Sequence, residues 1–133
     1  MPDRFAYDLF ISHARKFSPE YYSLVEKLDA LAGFAWHNHS VPEHDPVDDA
    51  RRKEELREQI RPVGAVLILS GTYAAHSEWV QFEMDFAASL SKPIIGIAPW
   101  DGQVTPSAVQ EAATAIVRWS IAPIVTAVRE HSL

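Results

Sequence analysis

A continuous apolar run over Ala65–Leu69 (AVLIL) is the strongest structural signal in the sequence. A run of this kind is typical of a central strand in a parallel sheet, because helices cover both faces of such a sheet. Similar apolar runs occur at residues 6–12 (AYDLFIS) and 93–98 (PIIGIA), and segments with helical periodicity lie between the runs. This alternation of strands and helices predicts an α/β fold.

Start and stop signals place the remaining elements. Ser18 is the predicted N-cap of a helix with Pro19 at its first position, and Gly33 ends that helix. Ser77 is the predicted N-cap of a later helix that runs to about residue 90. The same reasoning predicts strands at residues 34–36 and 117–119, and helices over 48–61, over 105–115 and from 120 onward. The 133 residues therefore predict one domain, 1–133, with a doubly wound, flavodoxin-like sheet of five parallel strands.

Charge and composition exclude several classes of function. The net charge of −6 argues against a nucleic-acid partner, since a phosphate backbone requires a clustered basic surface. The absence of cysteine excludes disulfides, thiolate nucleophiles and cysteine-based zinc sites. No apolar run is long enough to span a bilayer, and the first residues do not resemble a signal peptide. We expect a cytoplasmic protein without a membrane partner.

Segments that follow the strands should meet at one edge of the sheet. In doubly wound folds, ligands bind beyond the carboxyl ends of the strands. Ser12 and His13 follow the first strand, and the 37–46 loop follows the second. Residues 70–77 and 99–102 follow the third and fourth strands. These four segments are the predicted walls of a binding site.

Glu83 stands out within the helix that follows the third strand. On a helical wheel of residues 79–90, the apolar side chains spread over one broad arc, and Glu83 lies near its middle. A carboxylate rarely occupies such a position unless it is paired or lines a cavity, and burial perturbs its pKa. The wheel favours two interpretations equally: a catalytic carboxylate, or a structural pair with Arg118 or a tryptophan N–H.

Other chemistries fit the sequence less well. His37, His39 and His44 lie in a polar segment, but their spacing matches no zinc motif, and we predict no metal site. The residues after the first strand lack the glycines of a nucleotide-binding loop. A receiver domain requires an aspartate where Ser70 follows the third strand, and a serine hydrolase requires a Gly-x-Ser-x-Gly elbow, which the sequence lacks.

Several segments resemble bacterial TIR-like proteins, most closely the TIR subunits of the Thoeris anti-phage system. The segments are YDLFISHA (7–14), WHNHSVPEHDP (36–46), IRPVGAVLIL (60–69), YAAHSEWVQFEMDFA (73–87) and KPIIGIAPW (92–100). In active members of the family, a glutamate on the helix after the third strand carries out NAD cleavage, often within a Trp-x-x-x-Glu pattern. Trp79 and Glu83 match that pattern. The resemblance and the wheel thus select the same residue.

The resemblance also implies a reaction and partners. NAD would be the substrate, with no further cofactor, and the product would be a cyclic ADP-ribose isomer or ADP-ribose that signals to a separate effector. The 37–46 loop would complete the site of a neighbouring copy, which implies self-association. By position, substrate contacts are expected from Ser12, His13, Trp36, His37, Ser77 and Trp79.

Two other functions remain open from the sequence. A TIR domain can act as a scaffold that binds other TIR domains without catalysis, in which case Glu83 is structural. A nucleoside deoxyribosyltransferase has a related architecture and also uses a glutamate. The NAD-directed interpretation is favoured over the latter because the 36–46 loop resembles the TIR pattern.

Overall fold

Five parallel strands form the sheet in the part of the chain that the computed structural model describes, residues 6–12, 19–40, 49–99 and 104–133. The side chains of residues 49 and 72–76 are not described. The strands are β1 (Tyr7–Ile11), β2 (Trp36–Asn38), β3 (Ala65–Leu69), β4 (Ile94–Ile97) and β5 (Ala115–Val117). Their spatial order is β2-β1-β3-β4-β5, which is the flavodoxin-like order and confirms the predicted fold class.

Five α-helices in the described residues cover the two faces of the sheet. They are α1 (Pro19–Ala30), α2 (Asp49–Ile60), α3 (Tyr73–Ser89), α4 (Ser107–Ala112) and α5 (Ile121–His131), and a 3₁₀ turn (Ser70–Thr72) joins β3 to α3. None of these helices is long and apolar enough to cross a membrane.

Alternation along the strands divides the core in two. Leu9, Leu67 and Ile95 point to the face that α1 and α5 cover, which we call the α1/α5 face. Phe10 and Ile68 point to the opposite face, covered by α2, α3 and α4, which we call the α2/α3 face. Successive side chains of a strand point to opposite faces, so the continuous apolar run in β3 supplies both cores at once.

The second strand lies two residues later than predicted. Phe34 is buried and stacks on Tyr7 with ring centroids 5.4 Å apart, but it precedes the strand. Trp36 pairs with Tyr7, and His37 pairs with Asp8. The apolar residue that marked the strand in the sequence therefore contributes to packing, while polar residues form the short edge strand.

Two helix boundaries also differ from the prediction. Helix α3 begins at Tyr73, directly after the 3₁₀ turn, so Ser77 lies inside the helix and the predicted N-cap was wrong. Helix α4 ends at Ala112 and not near residue 115. The chain is extended at Ala113, and the Thr114 N–H donates to the Ile94 carbonyl (2.7 Å), which starts β5 earlier than predicted.

Candidate active site around Glu83

Glu83 is buried on the inner side of α3. Its exposure is 3%, and it lies among the residues that α3 buries against the sheet, including Val80, Met84 and Ala87. Its Oε1 atom has no hydrogen-bond partner among the described residues. The position in the apolar arc is therefore confirmed. A buried polar atom without a partner is uncommon and calls for a specific explanation.

Burial also changes the acidity of this carboxyl group. Desolvation raises the pKa of Glu83 from 4.5 to about 8, although the positive charge of Arg52 acts in the opposite direction. At pH 7, about one Glu83 side chain in ten is then ionised in the free domain. Strongly perturbed carboxyl groups of this kind are concentrated at functional sites, though structural networks produce them as well.

Arg52 and Trp79 lie next to this carboxyl group. Trp79 precedes Glu83 by four residues, which places the two on neighbouring positions of the α3 surface. The Arg52 guanidinium stacks over the Trp79 ring at 4.2 Å from the ring centroid. We call Glu83, Arg52 and Trp79 the Glu83 cluster. The sequence does not indicate Arg52, because nothing in a charged helix marks which residue faces a buried carboxylate.

The contact between Arg52 and Trp79 lies towards the carboxyl edge of the sheet. Both α2 and α3 follow parallel strands, and each therefore begins at that edge. Arg52 belongs to the first turn of α2, so its contact with Trp79 places this part of α3 near the start of α2. Residues 41–48, which belong to the loop expected to complete a neighbouring site, lead directly into α2 but lie outside the described residues.

A row of basic side chains joins α2 to the aromatic residues of α3. Besides Arg52 on Trp79, Arg57 lies 5.3 Å from the Phe82 ring centroid, and Lys53 lies 5.7 Å from it. An open groove of about 410 Å³ borders this row. Its lining includes Lys53, Trp79, Phe82 and exposed Glu78. Because Trp79 belongs both to the groove lining and to the Glu83 cluster, the groove opens beside the cluster.

Ser12 has a structural role at the carboxyl end of β1. It is fully buried, and its N–H donates to the Leu67 carbonyl (2.9 Å). Its Oγ accepts the Leu69 N–H (3.2 Å), so the hydroxyl joins β1 to β3 at the point where the strand order reverses. Nearby in sequence, Ser70 Oγ is buried without a partner among the described residues.

The two predicted contacts on β2 bind other side chains of the domain. Trp36 is half-buried and donates its indole N–H to Asp29 Oδ1 (2.9 Å). His37 Nδ1 lies 3.1 Å from Asp8 Oδ1, and His39 Nε2 lies 2.9 Å from the same oxygen. These interactions, chiefly the hydrogen bond with His39, lower the pKa of Asp8. The described residues contain no set of three or more His, Asp or Glu side chains suited to a metal ion.

The predicted contact residues are thus unequally placed relative to Glu83. Trp79 lies one turn from it, whereas Ser77 is exposed two turns earlier in α3. Ser12, Trp36 and His37 have the structural partners described above, and His13 lies outside the described residues. Three of the partners that a structural role of Glu83 could use are engaged or exposed. Arg118 is exposed, and the Trp36 and Trp119 indoles donate to Asp29 and Glu20.

Comparison with known proteins agrees with this architecture. The profile of one family, described as "Thoeris protein ThsB, TIR-like domain", matches residues 10–103. The match runs from the end of β1 through β4 and includes the whole Glu83 cluster. No curated protein gives a significant match. Because the profile covers well over half of the chain, the protein belongs to the ThsB TIR-like family of the Thoeris system.

Proposed function

We propose that this domain cleaves the bond between nicotinamide and ribose in NAD, with the Glu83 carboxylate as its catalytic residue. The product is a cyclic ADP-ribose isomer or ADP-ribose, which acts on a separate effector in anti-phage signalling. One observation carries the proposal: α3 buries a carboxyl group with an unpartnered oxygen and a pKa of about 8, in a domain of the ThsB family.

The chemistry requires a negative charge and no general acid. The C1′–N bond breaks, and its electron pair goes to the pyridinium nitrogen, so nicotinamide leaves as a neutral base. The ribose becomes oxocarbenium-like, as in glycoside cleavage. A carboxylate stabilises that cation, and a poorly solvated site strengthens the interaction. Attack by water then yields ADP-ribose and a proton. Attack by a nucleophile within the ADP-ribose itself yields a cyclic isomer and a proton.

The charge of the substrate suits the acidity of Glu83. In the free domain the carboxyl group is mostly protonated at pH 7, since its pKa is about 8. The nicotinamide ring of NAD carries a positive charge, and a positive charge near a carboxyl group favours its ionised form. Substrate binding thereby promotes the form that the reaction needs. Trp79, one turn from Glu83, offers an aromatic surface for the nicotinamide or adenine ring.

Assembly is part of the proposal. The 37–46 loop of one copy would contact the site of a neighbouring copy, so catalysis would depend on protein concentration or on a phage-derived trigger. Ser12, His13, Trp36, His37 and Ser77 remain candidate substrate contacts in such an assembly. We propose no metal and no cofactor other than the NAD substrate.

The test is chromatography of NAD incubated with the purified chain at high concentration. Nicotinamide release by the wild type and a loss of about 10³-fold in Glu83→Gln would support catalysis by the carboxylate. Glu58→Gln is the matched control, because Glu58 is an exposed glutamate on α2. The second product separates cyclisation from hydrolysis.

Two results would contradict the proposal. Release at the wild-type rate by folded Glu83→Gln would exclude Glu83 as the catalytic residue. No release by the wild type, even after forced assembly or addition of lysate from phage-infected cells, would favour the non-catalytic scaffold. Circular dichroism of each variant verifies that the fold is retained.

A further inference from the structure

We propose that Arg52 is a positioning residue that keeps Glu83 available as a carboxylate. The inference rests on the proposed function for its catalytic consequence, because it concerns the charge state of the same side chain. Its structural part stands separately and is measurable in the absence of NAD.

The geometry of the Glu83 cluster fixes the place of Arg52. The guanidinium is planar and stacks on the Trp79 ring at 4.2 Å from its centroid. Arginine is well suited to this contact, since it combines a permanent charge with a flat surface. Trp79 and Glu83 are one turn apart on α3, so the stack holds a positive charge close to a carboxyl group that is 3% exposed.

The other three basic residues of α2 are engaged elsewhere. Arg51 pairs with Glu55 (3.7 Å), and Arg57 pairs with Glu54 (3.3 Å). Lys53 lies over the ring of Phe82, on the outer surface of α3. Opposite charges in a pair largely cancel at a distance, and solvent screens exposed charges.

Among the described residues, the remaining elements around Glu83 contribute little charge. Glu78 and Asp85 on α3 are exposed, and Asp85 accepts a hydrogen bond from Gln81 (3.0 Å). Glu111 on α4 is also exposed, and the strand residues on the α2/α3 face are apolar. Arg52 is accordingly the charge that lowers the pKa of Glu83 against the effect of burial.

The consequence for catalysis is a change in the ionised fraction. At a pH below its pKa, each further unit of upward shift in the pKa of a carboxyl group reduces its ionised fraction about tenfold. Removal of the Arg52 charge would therefore lower the NAD-cleavage rate at pH 7. The midpoint of the pH–rate profile would shift to higher pH. At sufficiently high pH, the rate of the variant would approach that of the wild type.

The experiment is a carbon-13 NMR titration of glutamate side-chain carboxyl groups, with Glu83→Gln identifying the Glu83 signal. Arg52→Gln removes the charge, and Arg52→Lys retains it without the planar stack. Arg57→Gln is the matched control, because it removes an equivalent arginine that stacks on Phe82 in the same helix pair. We expect an upward shift of the midpoint in Arg52→Gln, a smaller shift in Arg52→Lys, and no shift in Arg57→Gln.

An unchanged Glu83 midpoint in Arg52→Gln would overturn the proposal, and so would an equal shift in Arg57→Gln. If Arg52→Gln does not fold, an unchanged Glu83 midpoint in Arg52→Lys overturns it. The titration contains no NAD, so it decides the inference even if the chain proves to be a scaffold. Loss of cleavage in Glu83→Gln with an unchanged midpoint in Arg52→Gln would instead support the proposed function and reject the role of Arg52.

Discussion

The two faces of the sheet differ in the hydrogen bonding and burial of the carboxylates that they hold. On the α1/α5 face, Glu20 in the first turn of α1 accepts the Trp119 indole N–H (3.0 Å) and lies against the backbone of Gly71. On the α2/α3 face, Glu83 is more deeply buried and its Oε1 has no partner among the described residues. Glu20 thus joins three segments at the carboxyl edge, whereas Glu83 is kept in an apolar environment.

This difference separates a structural carboxylate from a functional candidate. A buried polar group that serves the fold normally has its hydrogen bonds satisfied, since an unmade bond costs about 1–3 kcal/mol. The half-buried Glu20 carboxylate is hydrogen-bonded, whereas Glu83 Oε1 has no partner in the described part of the chain. The domain therefore retains Glu83 at a cost in stability, which is consistent with the proposed catalytic role.

The largest effect on the free energy of unfolding should come from replacing Glu83 by Gln, and it should depend on pH. The unfolded chain releases the Glu83 proton near pH 4.5, whereas the folded domain holds it up to about pH 8. The free energy of unfolding therefore falls by about 1.4 kcal/mol per pH unit across that window, or about 5 kcal/mol in all. The variant lacks this penalty. Urea unfolding should show that the wild type and Glu83→Gln have similar free energies of unfolding at pH 5. At pH 9 the variant should be the more stable of the two.

Glu20→Gln is the control for that measurement, because it removes a carboxylate from the other face. Its stability relative to the wild type should change little between pH 5 and pH 9. If the stabilities of Glu83→Gln and Glu20→Gln relative to the wild type show the same pH dependence, the proposed difference between the two carboxylates is wrong.

A smaller effect is expected from Gly71→Ala. An added Cβ would collide with the Glu20 carboxylate, which would have to move away from the Trp119 N–H. The loss of this charged hydrogen bond should destabilise the domain by about 1–2 kcal/mol. In a Glu20→Ala background the same substitution should cost less, because the obstacle is gone. Equal costs in the two backgrounds, measured by urea unfolding, would show that Gly71 is required for another reason.

The smallest effect should follow from Trp119→Phe. This change keeps an aromatic ring but removes the indole N–H that donates to Glu20. Glu20 and Trp119 are both only half-buried, so water replaces part of the lost bond, and a loss of about 1 kcal/mol is expected. Thermal unfolding of the wild type, Trp119→Phe and Glu20→Gln under the same conditions measures this loss of stability. A loss several times larger would make this pair a main support of the α1/α5 face.

The sequence predicts the fold well where burial determines the pattern. Strand β3 lies where the AVLIL run placed it, because a strand buried on both faces must be apolar throughout. The edge strand β2 and the start of α3 were misplaced. In β2 the pairing depends on backbone partners and not on apolar content, and in α3 the residues before Ser77 continue the helix without a stop signal.

The candidate site was predictable only in part. Helical periodicity alone indicated that Glu83 is buried, since that property depends on one helix and its orientation. Arg52 was not predictable, because its position over Trp79 depends on how α2 and α3 lie against each other. The partners of Trp36 and His37 likewise follow from the position of β2 beside β1.

The row of basic side chains on aromatic rings has a dynamic consequence. Leu56 and Ile60 are the buried apolar residues of α2, and Arg52, Lys53 and Arg57 lie over the aromatic rings of α3. Such contacts are individually weak and partly hydrated. We expect a helix held in this way to separate from its neighbour at a lower free energy than global unfolding requires, while the central strands stay intact.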